Sequence, residues 1–243
     1  MNKNQNKLTI SLSIIVSVLV IGVAIFYAMS KSGSSGGGSG IKTPTLEEQG
    51  LSLNGLSIKG NPNASSTIVE FGDFQCIACA QFFAMVEPQL KTEFIDTRKA
   101  NVAFKPLTFI DQFAGKERQG ESWHAAQAVE CAADQGKFWE MYDAIYSAEA
   151  SEAAAGKNNE NSGNLTRDFF TNVVKGLNID VNQFASCYDS QVHTDKIDGF
   201  YSDAQKAMGS QISTPTVFVI KDGTAQKIAS PFDINSYKAI INK

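Results

Sequence analysis

The pattern of apolar and polar positions changes period several times along the chain. Residues 8–29, LTISLSIIVSVLVIGVAIFYAM, are an apolar run without a single charge. A bilayer-spanning helix needs about 20 such residues, so the run predicts a transmembrane signal-anchor. Lys3 and Lys7 precede it and only Lys31 follows closely, which places the N-terminus in the cytoplasm and the remainder outside. A cleaved signal peptide is the alternative, but its apolar region usually spans about 7–15 residues and ends at a small-residue cleavage site. The next segment, SGSSGGGSG at residues 32–40, cannot bury a core and reads as a flexible tether.

Beyond the tether the periods are those of a folded domain. TPTLEEQG at residues 43–50 predicts a short helix, with Thr43 as cap, Pro44 in the first turn and Gly50 as stop. KGNPNASS is a turn-rich loop. STIVEFGDF reads as a buried strand over about Thr67 to Phe71. Cys79, Phe82, Phe83, Val86 and Leu90 then recur at helical intervals, with Pro88 expected to kink the helix. NVAFKPLTFI, residues 101–110, predicts a second apolar strand. From residue 117 to about 208 the spacing is helical, interrupted by a polar Gly/Asn-rich gap at 156–164. TPTVFVI (Thr214 to Ile220) returns to a strand, KDG is a hairpin turn, TAQKIAS pairs back, and DINSYKAIINK closes as an amphipathic helix.

The order β-α-β, helical block, β-β-α predicts one α/β core carrying a helical insertion at about 115–208, not two independent domains. The expected layout is a cytoplasmic tip and signal-anchor at 1–31, a linker with a short helix at 32–55, and the α/β domain at 56–243. Of the 243 residues 43% are hydrophobic and 19% charged, enough to bury a core. The net charge of −4, without a basic run, gives no support to a nucleic-acid surface.

An extracytoplasmic domain changes how the four cysteines are read, because disulfides persist there and the count is even. In FQCIACAQFF, Cys76 and Cys79 stand at the junction of a strand and a helix. Unsatisfied N–H groups and the dipole at a helix N-terminus favour an anion, so the Cys76 thiolate should be stabilised. Cys79, nearly one turn on, points the same way but deeper. An exposed attacking sulfur with a buried resolving sulfur is what thiol–disulfide exchange requires. Two other uses of the spacing stay open: a structural staple closing a very short loop, or half of a metal site. A zinc site needs a second cysteine pair or a histidine pair, whereas Cys131, Cys187, His124 and His193 are scattered.

TIVEFGDFQCIAC, GKFWEMYDAIY and STPTVFVI together resemble the DsbA-like thiol–disulfide oxidoreductases of the thioredoxin fold, from about residue 56 to the C-terminus. The resemblance implies a thioredoxin-like α/β fold with a helical insertion, and a redox disulfide Cys76–Cys79 in place of any cofactor or metal. It makes Cys76 the nucleophile, Cys79 the resolving cysteine, and Pro215 a cis-proline facing them, with Thr214 just before it. It places Glu70 as a buried carboxyl that helps move the Cys79 proton, where the strand pattern alone would also allow a solvent-facing residue. Cys131 and Cys187 become candidates for a second, structural disulfide, the alternative being two buried free thiols. Implied partners are reduced, cysteine-containing protein substrates and a quinone-linked membrane protein, DsbB- or VKOR-like, that reoxidises the pair. One departure stands out. Ile77 and Ala78 lie between the cysteines, where strongly oxidising relatives often carry Pro and His, so thiolate stabilisation is expected mainly from the helix terminus and at a lesser depth. A reductase or isomerase of the same fold remains a rival, as does a membrane-tethered binding module whose Cys-x-x-Cys is structural. Trp123, Phe138, Trp139, Tyr142 and Tyr146 read as core, and His124 as a packed histidine.

Overall fold

The computed structural model describes residues 43–243, of which Pro44–Lys243 pack as one unit. The apolar run at 8–29 and the Gly/Ser tether lie outside the described residues. Among those described, no helix is long and apolar enough to cross a membrane.

The elements follow in chain order. β1 (Ile58–Gly60) and β2 (Ser66–Gly72) lead into α1 (Ile77–Met85), α2 (Glu87–Leu90) and a π-helical turn (Lys91–Ile95). β3 (Ala100–Pro106), α3 (Phe109–Phe113) and a 3-10 turn (Glu117–Gln119) come next. The helical block is α4 (Glu121–Ala133), α5 (Phe138–Ala154), α6 (Arg167–Gly176), α7 (Val181–Ser190) and α8 (Thr194–Met208). β4 (Thr216–Lys221), β5 (Thr224–Lys227) and α9 (Ile234–Ile241) finish the chain. The five strands form one sheet in the order β1-β3-β2-β4-β5. β2 and β3 are parallel and every other pair is antiparallel. Between β3 and β4 the chain leaves the sheet to build the helical block, as the switch of period predicts.

β2 is the central strand, and all seven of its residues are buried. Its side chains alternate between two covered faces. Ile68 joins Val217, Val219, Phe82, Val86, Leu90 and Tyr237 on the face covered by α1, α2 and α9. Val69 and Phe71 join Phe218, Ile220, Phe200 and Ala204 on the face covered by α8. By the same alternation Glu70 lies on the α1 face, opposite Phe104 in β3 and Val217 in β4. The helical block has its own core, in which Phe74, Cys79 and Phe104 from the sheet side meet Tyr142, Tyr146, Phe170 and Phe184. Gly72 lets these two parts close up. A Cβ there would lie 2.6 Å from the Phe104 ring and 3.0 Å from the Tyr146 hydroxyl.

Five local expectations are corrected. Residues 43–50 make a single turn, not a helix. Thr45 is the residue that caps it, exchanging hydrogen bonds with Glu48, and Gly50 ends it at φ 71°. The second strand stops at Pro106, which has no N–H to continue the ladder. Residues 109–113 turn into α3 instead, with the Ile110 N–H donated to the Asp73 carboxylate. The chain breaks at Val86, before Pro88, which occupies the first turn of α2 where its missing N–H costs nothing. β4 begins at Thr216, because the Thr214–Pro215 bond is cis and turns the chain just ahead of it. Lys59 and Gly60, expected at the start of a turn-rich loop, belong with Ile58 to the short edge strand β1. Its Ile-Lys-Gly is too brief to show a period.

Candidate active site

β2 ends at Gly72 and the chain turns through Asp73–Phe74–Gln75 before α1 begins. Cys76 is the N-cap of α1, with extended backbone at φ −72° and ψ 117°. Its sulfur is therefore at the positive end of the helix, half-buried, while Cys79 one turn on is fully buried. The structure holds them as two thiols.

Their environments drive the two sulfurs apart. The Cys76 thiol is pulled down to about 6, first by the hydrogen bond that the Cys79 thiol offers its sulfur. The Thr214 hydroxyl and the backbone N–H groups of Cys79 and Ala78 add to this, against the cost of partial burial. Cys79 is pushed well above its ordinary value by burial and by the neighbouring Cys76 sulfur. The thiolate is thus supported first by the partner thiol and by Thr214, and the helix terminus assists. That order departs from the expectation that the terminus dominates, because Cys79 is packed against a sulfur it can donate to. Ile77 and Ala78 supply no side-chain donor, and about 6 is far from the roughly 3.5 of the most strongly ionised Cys-x-x-Cys thiols.

Thr214 and Pro215 reach the same place from the start of β4, which lies beside the end of β2. The cis Thr214–Pro215 bond puts the Thr214 carbonyl against Cys76, whose thiol donates to it at 3.6 Å. The Thr214 hydroxyl is buried without a partner. The carbonyl suits the protonated sulfur; on ionisation the hydroxyl is the donor that replaces it. Cys76 and Thr214 also line an open cavity of about 490 Å³, walled by Phe109, Ile110, Phe113 and Ile212 with Glu160 and Asn161 at the rim.

Glu70 sits under the pair, 3% exposed, with one carboxylate oxygen unpartnered. Burial holds its pKa well up, and the charges of Glu87 and Cys76 raise it further. The strand pattern alone allowed a solvent-facing Glu70; both faces of β2 are covered instead.

A second layer fixes the loop before Cys76. Asp73 accepts hydrogen bonds from the Gln75 N–H (3.0 Å), the Ser122 hydroxyl (2.5 Å) and the Ile110 N–H (3.1 Å). Burial nevertheless pushes it up to about 8. Gln75 donates to Asp111 (2.6 Å) and accepts from the Asn161 N–H (2.6 Å). Asp111 in turn accepts from the Ser122 and Trp123 N–H groups at the start of α4. The sequence pattern does not reveal this network. Its members are separated by tens of residues, and the one local signal is Asp73 placed to cap the turn at Gln75.

Cys131 of α4 and Cys187 of α7 are joined as a disulfide across 56 residues of sequence. Among the described residues one grouping brings three metal-type ligands within 4.8 Å of each other: this pair and His193, with the two sulfurs already bonded to each other. His124 is packed against Tyr188, whose hydroxyl lies 2.9 Å from its Nδ1. Trp123, Phe138, Tyr142 and Tyr146 are core residues, while Trp139 lines a cavity on the far side of α1.

A family profile described as Thioredoxin matches residues 54–243. The chain is 31% identical over 187 residues to a protein of Bacillus anthracis named probable disulfide bond formation protein D, covering 76% of each. Among solved structures, oxidised BdbD from Bacillus subtilis superposes with a TM-score of 0.63 at 20% identity, covering 82% of this chain and 94% of that one. DsbA from Chlamydia trachomatis superposes with a TM-score of 0.62 at 21% identity, covering 79% and 93%.

Proposed function

The chain belongs to the thioredoxin family as a DsbA-like thiol–disulfide oxidoreductase, and from that premise we propose that it introduces disulfides into proteins outside the cytoplasm through Cys76 and Cys79. Its redox group is a cysteine pair of its own, so no cofactor is needed. The observation that carries the choice of residues is the asymmetry of the pair. Cys76 is half-buried and pulled down to about 6, whereas Cys79 is buried and pushed up.

The reaction follows from that asymmetry. With Cys76 and Cys79 bonded, a substrate thiolate attacks the Cys76 sulfur, forming a mixed disulfide and expelling Cys79 as a thiolate. Buried Cys79 does not hold that charge, so it takes a proton, for which Glu70 is the nearby acid. A second substrate thiolate then attacks the substrate's own sulfur. A substrate disulfide forms and Cys76 leaves as a thiolate, stabilised by Cys79 and Thr214. Two electrons pass from substrate to protein. Stabilising the reduced pair makes the oxidised pair a stronger oxidant, which favours the oxidase direction over the reductase or isomerase.

The groove beside Cys76 gives the substrate a place. A peptide lying along Thr214 would pair with the free backbone in strand fashion while Phe109, Phe113 and Ile212 receive an apolar side chain. Residues 8–29 support a membrane anchor with the N-terminus inside, and residues 32–40 a tether to the working domain at 56–243. A quinone-linked membrane partner, DsbB- or VKOR-like, would restore the Cys76–Cys79 disulfide. The test is oxidation of a two-cysteine peptide by the oxidised protein, with one disulfide transferred per chain. Cys76→Ala should abolish it, and an unchanged rate would favour a structural Cys-x-x-Cys.

A further inference from the structure

A cavity of about 460 Å³ lies on the far side of α1 from the Cys76 groove, between α1, α2, α5 and β1. Glu70 and Glu87 both line it, with Lys59, Trp139 and Asp143. The Tyr142 hydroxyl donates to Glu87 Oε1 in a short hydrogen bond. Tyr142 is also within reach of Glu70, whose charged form it favours. A tyrosine has one O–H to give. While Glu87 takes it, one Glu70 oxygen has no partner, and neither does the Trp139 indole N–H; both residues line the cavity. Unpartnered polar groups around a space of this size are what bound water satisfies.

We propose that Glu87 and Tyr142 are positioning residues for the Glu70 proton transfer, the two carboxyls competing for one tyrosine hydroxyl beside a cavity that exchanges protons with solvent. With the hydroxyl on Glu87, Glu70 stays protonated and ready as an acid. When the Glu70 proton passes to the Cys79 thiolate, Glu70 becomes a carboxylate and Cys79 a thiol. The hydroxyl then turns to Glu70 and steadies the new charge, until water in the cavity returns a proton. Glu87 is poised for this exchange, since burial pushes it up to about 7.

Every charged or titratable group around the two carboxyls bears on the pH dependence. From α1 and its N-cap these are Cys79 and Cys76; from α5, Tyr142, Asp143 and Tyr146; from β1, Lys59; from α9, Tyr237. Lys91 lines the cavity mouth. Lys59 is held by Asp143 at 3.2 Å and favours an ionised Glu87.

The inference rests on Glu70 as the proton donor and acceptor of Cys79, and the experiment separates the two. The pH midpoint for resolution of a Cys76–peptide mixed disulfide by Cys79 is measured in stopped flow. Glu87→Gln removes the like charge and weakens the competing acceptor, so the midpoint falls by roughly one pH unit. Tyr142→Phe removes the donor to Glu70, so the midpoint rises by a similar amount. Opposite signs are the signature, because a loosened core would move both the same way. Glu87→Asp restores the wild-type midpoint, and in a Glu70→Gln background neither substitution moves it. If Glu70→Gln alone leaves the profile unchanged, the Glu70 reading falls and takes this one with it. If Glu70→Gln acts but Glu87→Gln and Tyr142→Phe shift together or not at all, only the present inference is overturned. Carbonyl-carbon NMR titration of Glu70 in the folded variants reads the same shifts without turnover.

Discussion

The Cys76 thiol donates to the Thr214 carbonyl at 3.6 Å, while the hydroxyl of the same threonine is buried with no partner. One residue thus serves both protonation states, the carbonyl for the thiol and the hydroxyl for the thiolate. Thr214→Val keeps the shape and the carbonyl and removes only the hydroxyl. A hydrogen bond to a charged group contributes about 1.5–3 kcal/mol, so the Cys76 pKa should rise from about 6 by roughly one to two units. Thr214→Ser should keep the wild-type value. Thiolate absorbance titration reads both, and an unmoved Val variant would remove the hydroxyl from the account.

The depressed Cys76 pKa also fixes a sign for stability. A native value of about 6 lies below the ordinary thiol value, so the unfolded chain binds more protons between them. The contribution is fully present above roughly 8.5 and is lost as pH falls through the native value. Reduced protein should therefore gain stability relative to reduced Cys76→Ala as pH rises from mildly acid to alkaline. Below the native pKa the two should melt with no such gap. The oxidised protein has no thiolate at this position, so its melting temperature relative to Cys76→Ala should lack this pH dependence. Paired thermal melts across pH give the answer, and a gap that widens toward acid would contradict the assignment.

Much of this site was legible because its key features are local. A strand, a Cys-x-x-Cys and a helix in succession locate Cys76 and Cys79, and Thr-Pro before an apolar run locates Thr214 and Pro215. Periodicity gave the sheet and the helical block for the same reason. What stayed hidden depends on groups far apart in sequence. Nothing near Gln75 announces Asp111, Ser122 or Asn161, and nothing near Glu87 announces Tyr142, which reads as one more core aromatic. At 43–50 Thr, Pro, Glu and Gly signal a helix start and stop whether or not a second turn fits between them.

Phe113 is 85% exposed at the end of α3, edge-on to Phe109, and forms a wall of the groove that holds Cys76. Its removal exposes no core, so Phe113→Ala should change stability by no more than about 0.5 kcal/mol. Oxidation of a peptide with a large apolar side chain beside its cysteine should slow several-fold. Oxidation of a small dithiol, which does not reach Phe113, should keep its rate. Kinetics with the two substrates distinguish a substrate contact from general damage, since damage would slow both.

The Cys131–Cys187 bond ties α4 to α7 across 56 residues of sequence. In the chain-entropy model a loop of this length is worth about 4 kcal/mol. A double Cys131→Ala, Cys187→Ala variant should lose stability on that order in denaturant titration. The equilibrium of Cys76 and Cys79 with a reference dithiol should not change, because neither residue is among the groups that shift the two thiols. A shifted equilibrium with unchanged stability would reverse the roles assigned here.

Gly120 is the N-cap of α4, and a Cβ added there would lie 2.0 Å from the Asp111 carboxyl carbon. Its backbone, at φ −91° and ψ 170°, is open to any residue, so the constraint is space and not conformation. Gly120→Ala must push Asp111 off the Gln75 amide and the N–H groups of Ser122 and Trp123. Each buried group left without a partner costs about 1–3 kcal/mol, so the loss should exceed about 2 kcal/mol in total. Gln75 would lose its anchor one residue before Cys76, and the Cys76 alkylation rate should become less sharply dependent on pH. Gly115→Ala is the control. It has nothing within 4 Å and a φ of 66°, so it bears only the conformational cost, about 1–2 kcal/mol. Equal losses in the two variants would mean that Asp111 does not hold the loop before Cys76.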